Sequence, residues 1–464
     1  MAEELHYLSL DEVARRLKAR KVTSADATKA SLDRIARLDP KLKSFATVTA
    51  DRALAEAAER DKETAAGKSR GPLHGVPIAV KDLCNTAGVA TAAGMAIHKA
   101  NVPAKDATVV ARLRAAGAVI LGKLQMTEGA FGSHHPSITP PVNPWNAAYW
   151  TGVSSSGSGV ATAAGLCYGS LGSDTGGSIR FPSSMCGLSG LKPTWGRVSR
   201  AGVFALADSL DHIGPMCRTA LDCAHMLGAI AGADDDDPTA APNPVPDYAG
   251  AIDAGVTGKR IGVATNLKGV DADAARALSG AVETLKKAGA TIVDVTLPAS
   301  FDRGSYIWVP LCAVETAFAH EATYPSRASE YGPVLANLIE AGRKLSALEY
   351  ARLQSERAAV TGGLVKLLAS IDLLLLPALG VPPATIADMN SAGRDPDLVA
   401  ARLRYTAPFD LSGQPTLTLP GGMTQDGVPV GFQIVGPAFS EAAILAAGHA
   451  YQKATDWHLK RPPL

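Results

Sequence analysis

The strongest constraint on the fold is a texture: short apolar runs bounded by Gly or Pro, alternating with segments of helical period. "GVPIAV" (residues 75–80) and "AVILG" (residues 118–122) are such runs, too short for helices and apolar throughout, as strands buried on both faces must be. Between them "DATVVARLRAAG" has helical spacing and ends at Gly117, so the order is strand, helix, strand. "KRIGVATN", "ALSGAVETLKKAG" and "ATIVDVTLP" repeat it, and "IDLLLLPA", "PTLTLPGG" and "GVPVGFQIVG" predict more strands before a closing helix "SEAAILAAGHAYQKAT". Residues 1–70 differ: Leu10, Val13 and Leu17, then Leu32, Ile35 and Leu38, recur at three-to-four spacing and predict helices. This is an α/β chain without a short internal repeat.

Composition narrows the partners. A chain of 464 residues with 47% hydrophobic and 19% charged residues buries a large core, and a net charge of +1 offers no electrostatic footprint for nucleic acid or an anionic membrane. Six scattered cysteines (Cys84, Cys167, Cys186, Cys217, Cys223, Cys312), with no CxxC pair, fit reduced buried thiols and a cytoplasmic setting. The opening "MAEELHYLSLDEVARRLKAR" has acids where a signal peptide needs a basic region, and the long apolar runs are broken by proline, so no membrane span is expected. The stretch "GADDDDPTAAPNPVPD" (residues 232–247) reads as a solvated connector.

Several motifs mislead. Residues 117–123 have the G-x-x-x-x-G-K spacing of a nucleotide-binding phosphate loop, from Gly117 to Lys123, but Leu124 stands where a hydroxyl should meet magnesium and the interior is strand-like. Ser189 and Lys192 form an S-x-x-K without its usual companion motifs, which reads as a strand or turn with a solvent-facing or capping lysine. No G-x-S-x-G occurs, His134-His135 is the one close histidine pair, and no spacing suggests a metal site.

Three segments carry better chemistry. In "GVPIAVKD", Lys81 closes an apolar strand; burial there would lower its pKa and let a neutral amine act as a base. "TGVSSSGSGVATAAG" (residues 151–165) leads a Gly/Ser run into a helix, and in "SDTGGSIRFPSSMCGLSGLKP" the pair Gly176-Gly177 before Ser178 lets consecutive backbone N–H groups turn towards one point. These segments, with "NPWN", "SLDHIGPM", "FDLSGQPTLTLPGG", "DGVPVGFQIVG" and "TDWH", resemble the amidase signature enzymes in the same order over nearly the whole chain.

The resemblance implies a Ser, cis-Ser, Lys triad with Ser178 as nucleophile, Ser154 as bridging serine and Lys81 as base, the cis peptide falling at Val153-Ser154. It implies an oxyanion hole of Thr175, Gly176, Gly177 and Ser178 backbone N–H groups, braced by Asp174 and Arg180. It also implies one domain over residues 1–464 with a mixed, mainly parallel sheet covered by helices on both faces. Its parts would be a helical segment 1–70, a signature core 71–231, the connector 232–247 and a C-terminal part 248–464. No cofactor or metal is implied, and a homodimer would be ordinary for such enzymes.

Two activities fit the resemblance: a stand-alone hydrolase of small amides, and the glutamine-hydrolysing amidase subunit of a tRNA-dependent amidotransferase. "QMTEGAFGSHHPSITPPVNPWN" and "ATDWHLKRPPL" look more like the first. Its substrates would be aryl or alkyl amides, with carbamates (urethanes) and esters open to the same acyl chemistry. An apolar pocket is expected from Met126, Phe131, Tyr306, Ile307 and Trp308; glutamine would instead call on Arg357 and Asp426.

Overall fold

The computed structural model describes residues 5–392 and 395–464; residues 1–4 of the expected N-terminal helix lie outside them. Among the described residues eleven strands form one sheet: β1 (Phe45–Val48), β2 (Pro77–Lys81), β3 (Val119–Leu124), β4 (Gly169–Asp174), β5 (Ser189–Lys192), β6 (His212–Cys217), β7 (Arg260–Ala264), β8 (Thr291–Val295), β9 (Leu373–Pro377), β10 (Thr416–Met423) and β11 (Pro429–Val435). Their spatial order is β1-β3-β2-β4-β6-β5-β10-β11-β9-β7-β8.

The sheet is mixed, as expected, but its parallel share is smaller. Parallel pairing is confined to β3-β2-β4 and β9-β7-β8, where helical crossovers join the strands, and six of the ten pairings are antiparallel. The middle of the sheet is built from direct returns such as β10 to β11, which need no crossover.

Strand alternation divides the core between two faces. Ile78 and Val80 of β2 and Ile120 of β3 join one apolar cluster, while Ala79 of β2 and Val119 and Leu121 of β3 join a second with Val160 and Ala161. Alternation puts Lys81 with Ala79, on the face covered by the helix Ser156–Ala163. At the N-terminus, Ser9 caps the helix Leu10–Lys18, which buries Leu10, Val13 and Leu17. No helix among the described residues is long and apolar enough to cross a membrane.

Packing explains one misleading spacing and corrects two sequence readings. The phosphate-loop spacing dissolves: Gly117 ends a helix at φ 85°, and Lys123 is buried in β3, 3.2 Å from Asp82 and donating to Thr91 Oγ1 at 2.6 Å. Lys192 is neither exposed nor a helix cap; it is buried in β5, where residues three apart point to opposite faces, so it and Ser189 are not partners. The acidic connector is partly anchored: Asp237 is buried and accepts Arg200 N–H at 2.8 Å, and Asp234 accepts the Ser199 hydroxyl, leaving Asp235 and Asp236 exposed.

Candidate active site

Lys81, at the end of β2, is fully buried and surrounded by serine hydroxyls: Ser154 Oγ at 2.6 Å, Ser173 Oγ at 2.8 Å and Ser155 Oγ at 3.0 Å. Burial lowers its pKa to about 7, against the opposing pull of Cys84, Asp174 and Asp211. A neutral amine has two N–H donors and one lone pair, so one of the three hydroxyls must donate to it. Ser155 is not that donor, because its hydroxyl donates to Ser173 O at 3.1 Å. Ser154 sits at a positive φ of 31°, a conformation that disfavours side chains. The one cis peptide among the described residues is Tyr324-Pro325, so Val153-Ser154 does not have the expected cis geometry.

β4 ends at Asp174 and delivers the loop to Ser178. Because a peptide unit is planar, fixing a carbonyl fixes the N–H on its other side. Each carbonyl here has a partner: His212 Nδ1–H, shared with Leu210 O at 2.7 Å, on Asp174 O at 3.1 Å, Trp308 Nε1–H on Thr175 O at 2.6 Å, the Thr406 hydroxyl on Gly176 O at 2.7 Å, and Phe181 N–H on Gly177 O at 2.7 Å. The N–H groups of Thr175, Gly176 and Ser178 are left without partners among the described residues. Gly177 departs from the expected oxyanion set, since its N–H donates to Asp174 Oδ1 at 2.6 Å.

Both glycines are sterically required. A Cβ on Gly176 would come within 2.5 Å of the Trp308 indole, and one on Gly177, at φ 133°, within 2.6 Å of the Phe181 ring. Below the loop Asp174 also accepts Ile179 N–H at 3.0 Å and forms a two-point pair with Arg180, at 3.0 Å and 2.8 Å. Burial opposes ionisation of Asp174, but the charge and hydrogen bonds of Arg180 outweigh it and hold its carboxyl below the usual range. Arg180 reaches on to Asp410 Oδ2 at 2.6 Å and Thr406 O at 2.9 Å.

The loop opens onto a cavity of about 200 Å³, lined by Thr175, Gly176 and Ser178 on one side and by Phe131, Trp150, Val153, Phe181 and Trp308 on the other. The Ser178 hydroxyl makes no hydrogen bond among the described residues; it faces this cavity. Of the expected pocket residues only Phe131 and Trp308 line it, their rings stacked with centroids 6.4 Å apart. Met126 and Ile307 are buried in the core, and Tyr306, two residues from Trp308 and hence across the helix Phe301–Ala319, faces solvent.

The glutamine ligands considered are elsewhere: Arg357 is held by Ser209 and Leu411 O, and Asp426 accepts the Tyr149 hydroxyl. Asp410, Asp211 and His212 were legible only as parts of quoted motifs, with no spacing that assigned them to the loop, and Thr406 lies just outside those motifs.

A family model of amidases matches residues 26–445. The chain belongs to the amidase family. It is 51% identical to AmiD of Mycobacterium tuberculosis, named as a putative amidase, over 98% of this chain and 96% of that one. It is 38% identical to a glutamyl-tRNA(Gln) amidotransferase subunit from Geobacter, over 99% of this chain and 100% of the relative. Its fold matches the peptide amidase of Stenotrophomonas maltophilia with a TM-score of 0.82 and 31% identity, over 98% of each chain. The protein is thus an amide hydrolase built on the amidase fold.

Proposed function

We propose that this amidase is a stand-alone serine hydrolase of small aryl or alkyl amides, with Ser178 as nucleophile, Ser154 as bridging serine and Lys81 as base. The observation that carries the reading is a desolvated Lys81 bonded to Ser154, next in sequence to Val153 on the wall of the cavity where Ser178 and three N–H groups without partners among the described residues lie. Neutral Lys81 takes the proton of Ser154 as Ser154 takes that of Ser178, whose oxygen attacks the acyl carbon. The Ser154–Ser178 contact closes in the substrate complex, as catalytic hydrogen bonds commonly do. The N–H groups of Thr175, Gly176 and Ser178 bind the tetrahedral oxygen, each contributing about 3–4 kcal/mol. The relay returns the proton to the leaving amine, and water, deprotonated by the same relay, releases the acyl group and restores Ser178.

The greater identity to AmiD than to the amidotransferase relative supports a self-sufficient enzyme. So does the cavity: among the described residues no carboxylate lines it to receive the ammonium of glutamine. Carbamates and esters present the same acyl carbon and belong to its range.

Purified protein, assayed alone, is expected to hydrolyse p-nitroanilides and a carbamate, and Ser178→Ala to lose that turnover while keeping its fold by circular dichroism. Retained turnover in the variant would remove Ser178 from the mechanism. Activity on glutamine alone, and only with added partners, would favour the amidotransferase reading.

A further inference from the structure

The cavity is lined mostly by apolar side chains, with a few hydroxyls and one cation. Arg402, on the helix Pro396–Leu403, is the one ionisable side chain among the described residues that line it. It is half-buried, and no described residue gives its guanidinium a hydrogen bond or ion pair. Its neighbour Arg404 differs, pairing with Asp302 at 2.9 Å. The carboxylate that acts electrostatically on Arg402 is Asp388, which is exposed and accepts Thr385 N–H at 2.9 Å and the Thr385 hydroxyl at 2.7 Å. Desolvation lowers the Arg402 pKa, but a guanidinium remains charged at any working pH. Met389, Val399 and Leu403 share the cavity wall with it. A partly desolvated cation beside apolar surface, with no hydrogen bond from its five donors among the described residues, fits a carboxylate bidentately.

We propose that Arg402 is the anion-recognition residue of this cavity, and that the preferred substrates are amides bearing a carboxylate on the apolar group that fills it. Phe131, Trp150 and Trp308 take the hydrocarbon or ring, the loop takes the scissile carbonyl, and Arg402 takes the distal carboxylate. This rests on the amide-hydrolase reading and adds its substrate class.

The test is a series of p-nitroanilides of dicarboxylic acids of increasing length, each paired with an alkanoyl p-nitroanilide of equal length ending in methyl. At the best length the carboxylate member is expected to exceed its neutral partner in kcat/KM by about tenfold or more, the worth of one charge-assisted contact. Arg402→Gln should bring that ratio close to one, Arg402→Lys should keep part of it, and rising salt should reduce it. In Ser178→Ala, binding read by quenching of Trp150 and Trp308 should show the same preference without turnover. A ratio near one at every length, or an unchanged ratio in Arg402→Gln, overturns the assignment. The two readings fail separately: neutral anilides cleaved with no carboxylate preference sink Arg402 alone, whereas a binding preference without turnover in the intact enzyme sinks the Ser178 chemistry.

Discussion

At the scale of single residues, the proposed mechanism makes activity turn on the charge of Lys81. Its pKa is lowered by burial to about 7, and the proposed base is the neutral form, so the active fraction rises as pH increases through that value. kcat/KM for a neutral anilide is therefore expected to climb about tenfold per pH unit below pH 7 and level off above it, with Lys81→Met losing turnover at every pH. Lys192 is lowered by burial to the same range. It lies in β5, and its one hydrogen bond among the described residues is to Pro193 O, at 3.1 Å, so Lys192→Met should keep the acid limb. An acid limb that vanishes in Lys192→Met and survives changes at Lys81 would reverse the assignment. The sequence put Lys81 at a strand end and Lys192 in a strand or turn as a solvent-facing or capping residue; their burial was not legible, because it comes from helices and strands far along the chain.

At the scale of elements, the site is the junction of β4, its following loop and the helix Arg180–Cys186. Trp308 couples that junction to the helix Phe301–Ala319, since its indole N–H holds Thr175 O and thereby fixes the orientation of Gly176 N–H. Trp308→Phe keeps a ring against Phe131 but releases the carbonyl. It should lower kcat about 10- to 100-fold and change KM less for a small acetanilide that scarcely fills the cavity; an unchanged kcat would remove the indole from loop positioning. The same junction explains what the sequence concealed. Apolar strands such as β3 and β9 were readable from composition, whereas β4 reads "GSLGSD" and carries no such signal. Its small residues are dictated by crowding: a Cβ on Gly172 would meet Met216 Sδ at 2.7 Å and Ser155 Oγ at 2.9 Å. Close packing thus displaced the residues by which a strand is recognised. The cavity was legible only in part for a related reason, because it is assembled from separate stretches around 131, 150, 178, 308 and 402. Helical phase within one of those stretches, not hydrophobicity, separates Trp308 from Tyr306.

At the scale of the whole molecule, Arg180 ties the active-site loop to the C-terminal half. It pairs with Asp174 six residues away and also meets Thr406 O and Asp410, more than two hundred residues on. Asp410 is the weaker acid, raised by burial and by its proximity to Asp174. The arginine therefore balances chiefly the ionised Asp174, in a setting where neither group meets water. Deleting one member of such a pair leaves the other charge buried, which costs about 3–5 kcal/mol. Arg180→Met is expected to lose that much stability in urea unfolding. Arg180→Lys should recover little of it, because one ammonium cannot reach both Asp174 oxygens, Asp410 and Thr406 O together. The pH dependence has a fixed sign. Asp174 is held below its unfolded value, so its contribution is complete above the ordinary carboxylate range and fades as pH falls towards its folded pKa. The loss in Arg180→Met should accordingly be largest near neutrality and shrink in acid, and an equal loss at all pH values would mean that Arg180 acts through packing and not through charge.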